Sequence, residues 1–132
     1  LAYGLNMDLF GNKISKKFKE PERYDIVIFH YPDDENQLFI KRLIGLPGDK
    51  VEIRDGKVYL NDSETPIKED YLPEMPAGSF GPYYVPEDCY FMLGDNRNNS
   101  KDSRFWENTY VRFDQIVGKA VLRYYPSIKL LK

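Results

Sequence analysis

The sequence has 132 residues, of which 19 are Lys or Arg and 21 are Asp or Glu, giving a formal net charge of −2. This length suits one domain, and 42% hydrophobic with 30% charged residues is a globular rather than a disordered composition. The single cysteine, Cys89, excludes an internal disulfide framework. No apolar run approaches the roughly 18–20 residues of a membrane-spanning helix.

Charge is distributed unevenly, with basic ends and an acidic middle. An acidic middle makes a nucleic-acid groove unexpected there. We interpret the basic ends as solvated termini, and contact with an anionic membrane surface is the alternative.

In chain order, the sequence predicts mostly strands. Residues 7–20 are the one plausible helix, although Gly11 is unfavourable within it. Residues 24–31 (YDIVIFHY) are a dense β-branched and aromatic run that predicts a strand, and Pro32 closes it. Residues 38–46 (LFIKRLIGL) predict a second strand. Because only a short loop joins these two strands, we expect them to pair antiparallel.

A tight hairpin is predicted next. Residues 51–54 and 57–60 flank Asp55-Gly56, a dipeptide that tolerates positive φ at both positions and is typical of a two-residue β-turn. Residues 61–88 are rich in proline, glycine and acidic residues, and we interpret them as a long irregular excursion.

The last third of the sequence predicts strand, loop and strand. Residues 90–93 (YFML) predict a strand, and Gly94 begins a polar loop that runs to Arg104. Residues 116–125 (IVGKAVLRYY) predict the last strand, which Pro126 ends. The predicted fold class is therefore all-β, with mainly antiparallel sheets and little helix.

Lys41 is the first candidate functional residue. Alternate residues of a strand share a face, which places Lys41 among apolar neighbours. The two faces are Phe39, Lys41 and Leu43 on one side and Leu38, Ile40, Arg42 and Ile44 on the other. Apolar surroundings lower the pKa of an ammonium group, and a lowered pKa lets lysine act as a general base. An edge-strand lysine whose ammonium reaches water is the alternative, and spacing leaves both open.

The polar loop at residues 94–104 (GDNRNNSKDSR) is the second candidate. Its short polar side chains can hydrogen-bond the loop's own backbone and give it a rigid shape. They can also present oxygen atoms to a cation, but the calcium-loop pattern fails at Arg97 and Ser100. An Asx-rich turn without function is the plain alternative. No metal-ligand cluster is present in the sequence, where His30 is the only histidine, so no cofactor is implied.

Three blocks together resemble one family. YDIVIFHYPDD at 24–34, FIKRLIGLPGD at 39–49 and FMLGDNRNNSKDSR at 91–104 occur in the order and form of bacterial type I signal peptidases. The resemblance runs from about Pro21 to the end of the chain. It implies a fold of coiled antiparallel sheets and a membrane-anchored serine peptidase that removes signal peptides from exported proteins. It also implies a catalytic domain on the extracytoplasmic face of the bacterial cytoplasmic membrane, and a Ser–Lys dyad in place of a Ser–His–Asp triad.

The resemblance implies roles for the matching residues of the site. Lys41 would be the general base, which takes a proton from a serine hydroxyl and returns it to the leaving amine. Ser100 would hydrogen-bond the amine of Lys41 and hold it in line. Gly94 and Asp95 would shape the turn that brings Ser100 to Lys41.

The remaining matches imply a brace and a substrate site. The brace would be an ion pair near Arg42, formed by Asp102 and Arg104, that holds the loop against the strand. Signal peptides would bind as an extended strand alongside the segment before Lys41. Phe39 would then face the pocket for the residue just before the cut. The pocket two residues further back would be lined by Ile28, Leu38 and Ile40.

The sequence also departs from the family pattern. The family's nucleophile lies in a Ser-Met-x-Pro-Thr block upstream of these motifs; this chain has no such block, so by itself it is expected to be inactive. The chain opens on Leu1 without the family's anchor, and we expect a soluble fragment of a longer parent protein. Its parts would be an N-terminal segment, residues 1–23, and the catalytic β domain, residues 24–132. Tyr24 stands where the family usually has glycine.

Two other hypotheses stay open. Repressor-type self-cleaving peptidases share the dyad and the fold but lack the GDNRNNSKDSR loop. A non-catalytic peptide-binding homologue would keep the fold and lose the serine, although it has no need of Lys41 or Ser100. A native start near Leu1 would favour this homologue.

Overall fold

The computed structural model describes residues 20–120, which form two antiparallel β-sheets and two single turns of 3-10 helix. The strands are β1 Ile26–His30, β2 Leu38–Gly45, β3 Lys50–Arg54, β4 Lys57–Leu60, β5 Phe80–Tyr84, β6 Cys89–Leu93, β7 Val111–Arg112 and β8 Ile116–Lys119. The 3-10 turns are Arg97–Asn99 and Phe113–Gln115. The predicted all-β class is confirmed. The predicted helix lies outside the described residues except for residue 20, and so does the last predicted strand beyond residue 120.

The larger sheet has the strand order β7-β6-β2-β1-β8, and the smaller sheet has the order β4-β3-β5. β1 and β2 pair antiparallel along β1's whole length, as their short connection predicts. β2 lies at the centre of the larger sheet, but it pairs with β6 only from Arg42 to Gly45. Within residues 20–120, the β6-facing edge of β2 before Arg42 therefore has no strand paired to it.

Two tight turns follow β2, and the hairpin between β3 and β4 is the one that the sequence predicts. Asp55 and Gly56 join β3 to β4 with φ values of 50° and 83°, the positive values that a two-residue type I′ hairpin requires. Before β3, the Asp49 carboxylate accepts hydrogen bonds from the Arg23 side chain and the Leu46 N–H at 2.6 and 2.8 Å. Because β2 and β3 belong to different sheets, these bonds fix the corner between the sheets.

The prediction of an irregular excursion over residues 61–88 is wrong near its end. β5 lies within it and pairs antiparallel with β3. The sequence did not predict this strand because it contains Gly81 and Pro82, and both residue types weaken strands in the interior of a sheet. β5 is an edge strand of the smaller sheet, the position in which a sheet tolerates proline. The two-residue β7 was also not predicted.

Two apolar clusters share β2 and β6. The first consists of Val27, Phe29, Tyr31, Leu43, Tyr90, Met92, Trp106 and Val111. The second consists of Ile44, Val51, Ile53, Val58, Val85, Phe91 and Leu93. Since successive strand residues point to opposite faces, the neighbours Leu43 and Ile44 enter different clusters. β2 and β6 are therefore packed on both faces, which accounts for their nearly continuous apolar sequences.

Three aromatic residues of the first cluster and Phe39, which packs against them, form an aromatic group next to Lys41. It consists of Phe29, Tyr31, Phe39 and Trp106. The Tyr31 and Phe39 rings stack with centroids 4.2 Å apart, and the Trp106 ring lies 5.8 Å from Phe39. Trp106 is 5% exposed. These contacts hold the first half of β2 in place, where no β6 pairing supports it.

Candidate active site

Lys41 and Ser100 meet although 59 residues separate them in the sequence. Lys41 is in β2, and Ser100 follows the 3-10 turn Arg97–Asn99. The Lys41 Nζ lies 3.3 Å from the Ser100 Oγ. β2 is an interior strand of its sheet, but at Lys41 it pairs with β1 and not with β6, so strand position alone leaves the alternative of an edge-strand lysine open.

Burial lowers the pKa of the Lys41 amine below its ordinary value of 10.5. Nearby charges act in both directions, since Asp102 and Asp95 raise this pKa and Arg104 lowers it. Burial is the largest influence. A lysine with a lowered pKa has more of the neutral amine at a given pH, and the neutral amine is the form that accepts a proton.

Replacing Lys41 with methionine is expected to stabilise the fold most at low pH. The pKa of Lys41 is lower in the folded than in the unfolded chain, so folding with a protonated Lys41 costs free energy. This cost is fully present below the folded pKa and disappears as the pH rises from there to the ordinary value of 10.5. Urea unfolding of both proteins over this range measures the difference.

Lys57→Met is the matched control, because Lys57 is exposed in β4. The control measures the change in unfolding free energy on loss of an exposed lysine over the same pH range. A Lys41→Met difference that varies with pH no more than the control difference would contradict the buried amine.

The absence of a side chain at Gly94 provides the space in which Ser100 contacts Lys41. A Cβ on residue 94 would lie 2.0 Å from the Ser100 Oγ and 3.4 Å from the Lys41 Nζ. The Gly94 N–H donates to the Asp102 carboxylate at 2.9 Å, and its carbonyl accepts from the Arg97 Nε at 2.9 Å. The first residue of the loop is thus held through its backbone on both sides, with no side chain in the space between Lys41 and Ser100.

Asp102 and Arg104 form an ion pair inside the loop. Arg104 donates from Nε and Nη2 to the two carboxylate oxygens of Asp102, each at 2.8 Å. The side chains are 3% and 0% exposed for Arg104 and Asp102. Arg104 also donates to the Arg97 carbonyl at 2.9 Å. This pair therefore ties the end of the loop to its 3-10 turn and, through Asp102, to Gly94.

The brace between the loop and β2 differs from the expected one. The carboxylate that pairs with Arg42 is that of Asp95, at 2.9 Å from Nε and 2.7 Å from Nη2. Both side chains are buried, with 9% and 10% exposed. Asp95 therefore fastens the loop to β2 one residue after Lys41, while Asp102 and Arg104 hold the loop together.

The residues implied in the substrate pockets lie on both faces of β2. Phe39 shares the face of Lys41 and packs in the aromatic group. On the other face Ile40 packs against Ile28, which is 1% exposed and presents almost no surface of its own. Leu38 is half-buried opposite His30. The assignment of these residues to two pockets stays a prediction.

Glu69 and Tyr71 also contact this site, and sequence reasoning did not single them out. Glu69 accepts hydrogen bonds from Arg97, and the Tyr71 ring lies beside the Arg42 guanidinium. Both residues belong to the proline-rich excursion, where no periodicity or motif spacing relates them to the loop. The only features of the sequence that could have indicated a role for them are the charge of one and the aromatic ring of the other in an otherwise irregular stretch.

Neither a metal centre nor a membrane span is found in the part of the chain that the structure describes. Residues 20–120 contain no group of three or more His, Cys, Asp or Glu side chains placed to hold a metal ion. They also contain no helix of the length and apolarity that crossing a membrane requires.

The chain is similar in sequence to known signal peptidases and to a processing peptidase. The family model described as signal peptidase, peptidase S26, matches residues 5–125. Signal peptidase I of Leptolyngbya laminosa is 42% identical over 133 residues, which cover 96% of this chain and 64% of that protein. Thylakoidal processing peptidase 1 of Arabidopsis thaliana, a chloroplast protein, is 39% identical over 132 residues, which cover 92% of this chain and 38% of that protein.

A solved structure gives the same result for the fold. The crystal structure of a signal peptidase I from Enterococcus faecalis matches with a TM-score of 0.66 and 36% identity, over 78% of this chain and 98% of that chain. The chain spans 64% of the length of the Leptolyngbya relative. Because the family model covers most of the sequence and the relatives cover nearly all of it, the chain belongs to the signal peptidase family, peptidase S26.

Proposed function

We propose that this chain forms the catalytic β domain of a type I signal peptidase. The enzyme would cleave N-terminal signal peptides from exported proteins after small residues. The observation that carries the proposal is the 3.3 Å contact between the Ser100 Oγ and the Lys41 Nζ, a lysine whose pKa burial has lowered.

The proposed proton transfer depends on a neutral Lys41 amine that is held in a fixed orientation. The Lys41 amine takes the proton of the nucleophilic serine as that oxygen attacks the scissile carbonyl, and it returns the proton to the leaving amine. The Ser100 oxygen accepts a hydrogen bond from one N–H of Lys41. This bond orients the amine so that its lone pair is directed toward the nucleophile. In this proposal the nucleophile comes from a Ser-Met-x-Pro-Thr block upstream in the parent protein.

The free edge of β2 supports an extended substrate. On its β6 side, no described strand pairs with β2 before Arg42, so a peptide strand can add there by backbone hydrogen bonds. Its residue before the cut would lie beside Phe39, on the face of Lys41. Since such substrates are exported preproteins, we place the parent protein in the bacterial cytoplasmic membrane with this domain on the extracytoplasmic face.

Cleavage of a preprotein by the parent protein tests this function. The coding region upstream of Leu1 is sequenced, the full protein is expressed, and it is incubated with a preprotein whose signal peptide ends in Ala-x-Ala. We expect one new N-terminus directly after the final alanine, identified by mass spectrometry. An uncut preprotein would contradict the proposal. Binding without cleavage by a parent that has no serine block would establish the non-catalytic homologue instead.

A further inference from the structure

The chain between β4 and β5, residues 61–79, lies against the loop that carries Ser100. Arg97 donates from Nη1 and Nη2 to the two carboxylate oxygens of Glu69, at 3.0 and 2.5 Å. The next loop residue, Asn98, accepts the N–H of Ala77 at 3.1 Å. Two successive residues of the 3-10 turn therefore bind two separate points of this β4–β5 segment.

The ion pair of Arg97 with Glu69 is buried, with 2% and 7% of the two side chains exposed. An exposed ion pair holds little, because water and salt screen it. A buried pair fixes its partners, since removal of one partner leaves the other charge without water or counter-charge. Arg97 also donates its Nε to the carbonyl of Gly94, the residue beside the Lys41–Ser100 contact. Glu69 is thus two hydrogen bonds away from that contact.

Tyr71 connects the same segment to β2. Its hydroxyl donates to Glu69 at 2.5 Å, and its ring centroid lies 3.8 Å from the guanidinium carbon of Arg42. Arg42 follows Lys41 in the strand and holds Asp95 of the loop. The β4–β5 segment therefore contacts the site both from the loop and from the strand.

Tyr24 contacts the β4–β5 segment, and its own backbone has a conformation that favours glycine. Its φ is 79°, a left-handed value that costs an ordinary side chain free energy. The Tyr24 hydroxyl donates to the Lys68 carbonyl at 3.0 Å, and its ring meets the Tyr71 ring edge-on at 6.0 Å. The Tyr24 side chain, which makes this conformation costly, thus contacts residues on both sides of Glu69 and holds them in place.

We propose that Glu69 is a positioning residue, which holds the Gly94–Ser100 loop against Lys41 through Arg97, with Tyr71 orienting the Glu69 carboxylate. The inference rests on the proposed roles of Lys41 and Ser100. Glu69 contacts neither of them, so its effect on the reaction passes through the position of the loop.

The pKa of Lys41, measured by NMR in this chain, tests the inference. Signals of the lysine side chains are followed with pH, and Lys41→Arg identifies the signal that belongs to Lys41. Burial is the largest influence on the pKa of Lys41, ahead of the charges of Asp102, Arg104 and Asp95. Loss of the negative charge of Glu69 would by itself lower the pKa of Lys41, because it favours the neutral amine, so a rise of this pKa in Glu69→Gln reports that the loop has moved and admitted water.

We expect Glu69→Gln to raise the pKa of Lys41 toward its ordinary value. Glu64→Gln is the matched control, because Glu64 is an exposed glutamate of the same segment and should leave this pKa unchanged. In the parent protein, Glu69→Gln should lower kcat about 10²-fold through misplacement of the catalytic pair. KM should change by no more than about twofold, since no substrate contact is lost.

Tyr71→Phe keeps the ring beside Arg42 and loses the hydrogen bond to Glu69, so it should raise the Lys41 pKa by a smaller amount. It decides the question if Glu69→Gln does not fold. An unchanged Lys41 pKa in whichever of these variants folds overturns the inference. A Lys41 pKa at its ordinary value in the unsubstituted chain would overturn the proposed function of Lys41 instead.

Discussion

Lys41→Arg is expected to lower kcat of the parent protein by about 10²–10⁴-fold and to leave the domain folded. Arginine cannot be deprotonated in a protein, so the substituted side chain has no lone pair to receive the serine proton. Single-turnover cleavage of a preprotein measures the rate, and thermal unfolding reports the fold.

Lys101→Arg is the control for this substitution. Lys101 is the exposed residue after Ser100, and its ammonium lies 5.2 Å from the centroid of the Tyr31 ring. Arginine keeps both the charge and this ring contact, so cleavage should be unchanged. If Lys41→Arg kept the activity of Lys101→Arg, the lysine would not be the base.

Arg104→Ala should destabilise the domain by about 3–5 kcal/mol, because it leaves the Asp102 carboxylate buried without its partner. Asp102 is 0% exposed, so in the folded domain its carboxylate depends on protein donors, and the substitution removes two of its hydrogen bonds. A loss of this size is a large share of the roughly 5–15 kcal/mol that stabilises a domain. Thermal unfolding measures it, as a fall in Tm of roughly 10 °C or more.

Arg112→Ala separates burial from charge in this experiment. Arg112 also forms ion pairs, with Glu35 and Asp114, but its side chain is 54% exposed. We expect a loss of about 0–1 kcal/mol, the usual range for surface pairs. A Tm for Arg104→Ala close to that of Arg112→Ala would show that the pair with Asp102 contributes little to stability.

The sequence predicts those parts of the fold that depend on neighbouring residues. β1, β2 and the hairpin at Asp55-Gly56 follow from local composition and turn chemistry, and the structure has all three. β5 does not follow in this way, because Gly81 and Pro82 oppose a strand locally and only pairing with β3 at a sheet edge makes one.

The site depends on contacts across long separations. Alternation along β2 separates the face of Lys41 from that of Arg42 but says nothing of what either side chain touches. The contact with Ser100 was expected from the family resemblance alone. Asp95 as the partner of Arg42, and Glu69 as the partner of Arg97, appear only when the loop folds onto β2 and the β4–β5 segment folds onto the loop.

The aromatic group beside Lys41 contains an optical probe. Trp106 is the only tryptophan of the sequence, and the rings of Tyr31 and Phe39 lie 5.4 and 5.8 Å from it. Its Nε1–H is buried and has no hydrogen-bond partner among the described residues, so the indole is in apolar surroundings. Indole emission shifts with local polarity, and the tryptophan emission of the chain therefore reports on the place where a substrate residue would lie beside Phe39. Occupancy of that place can be followed without a label.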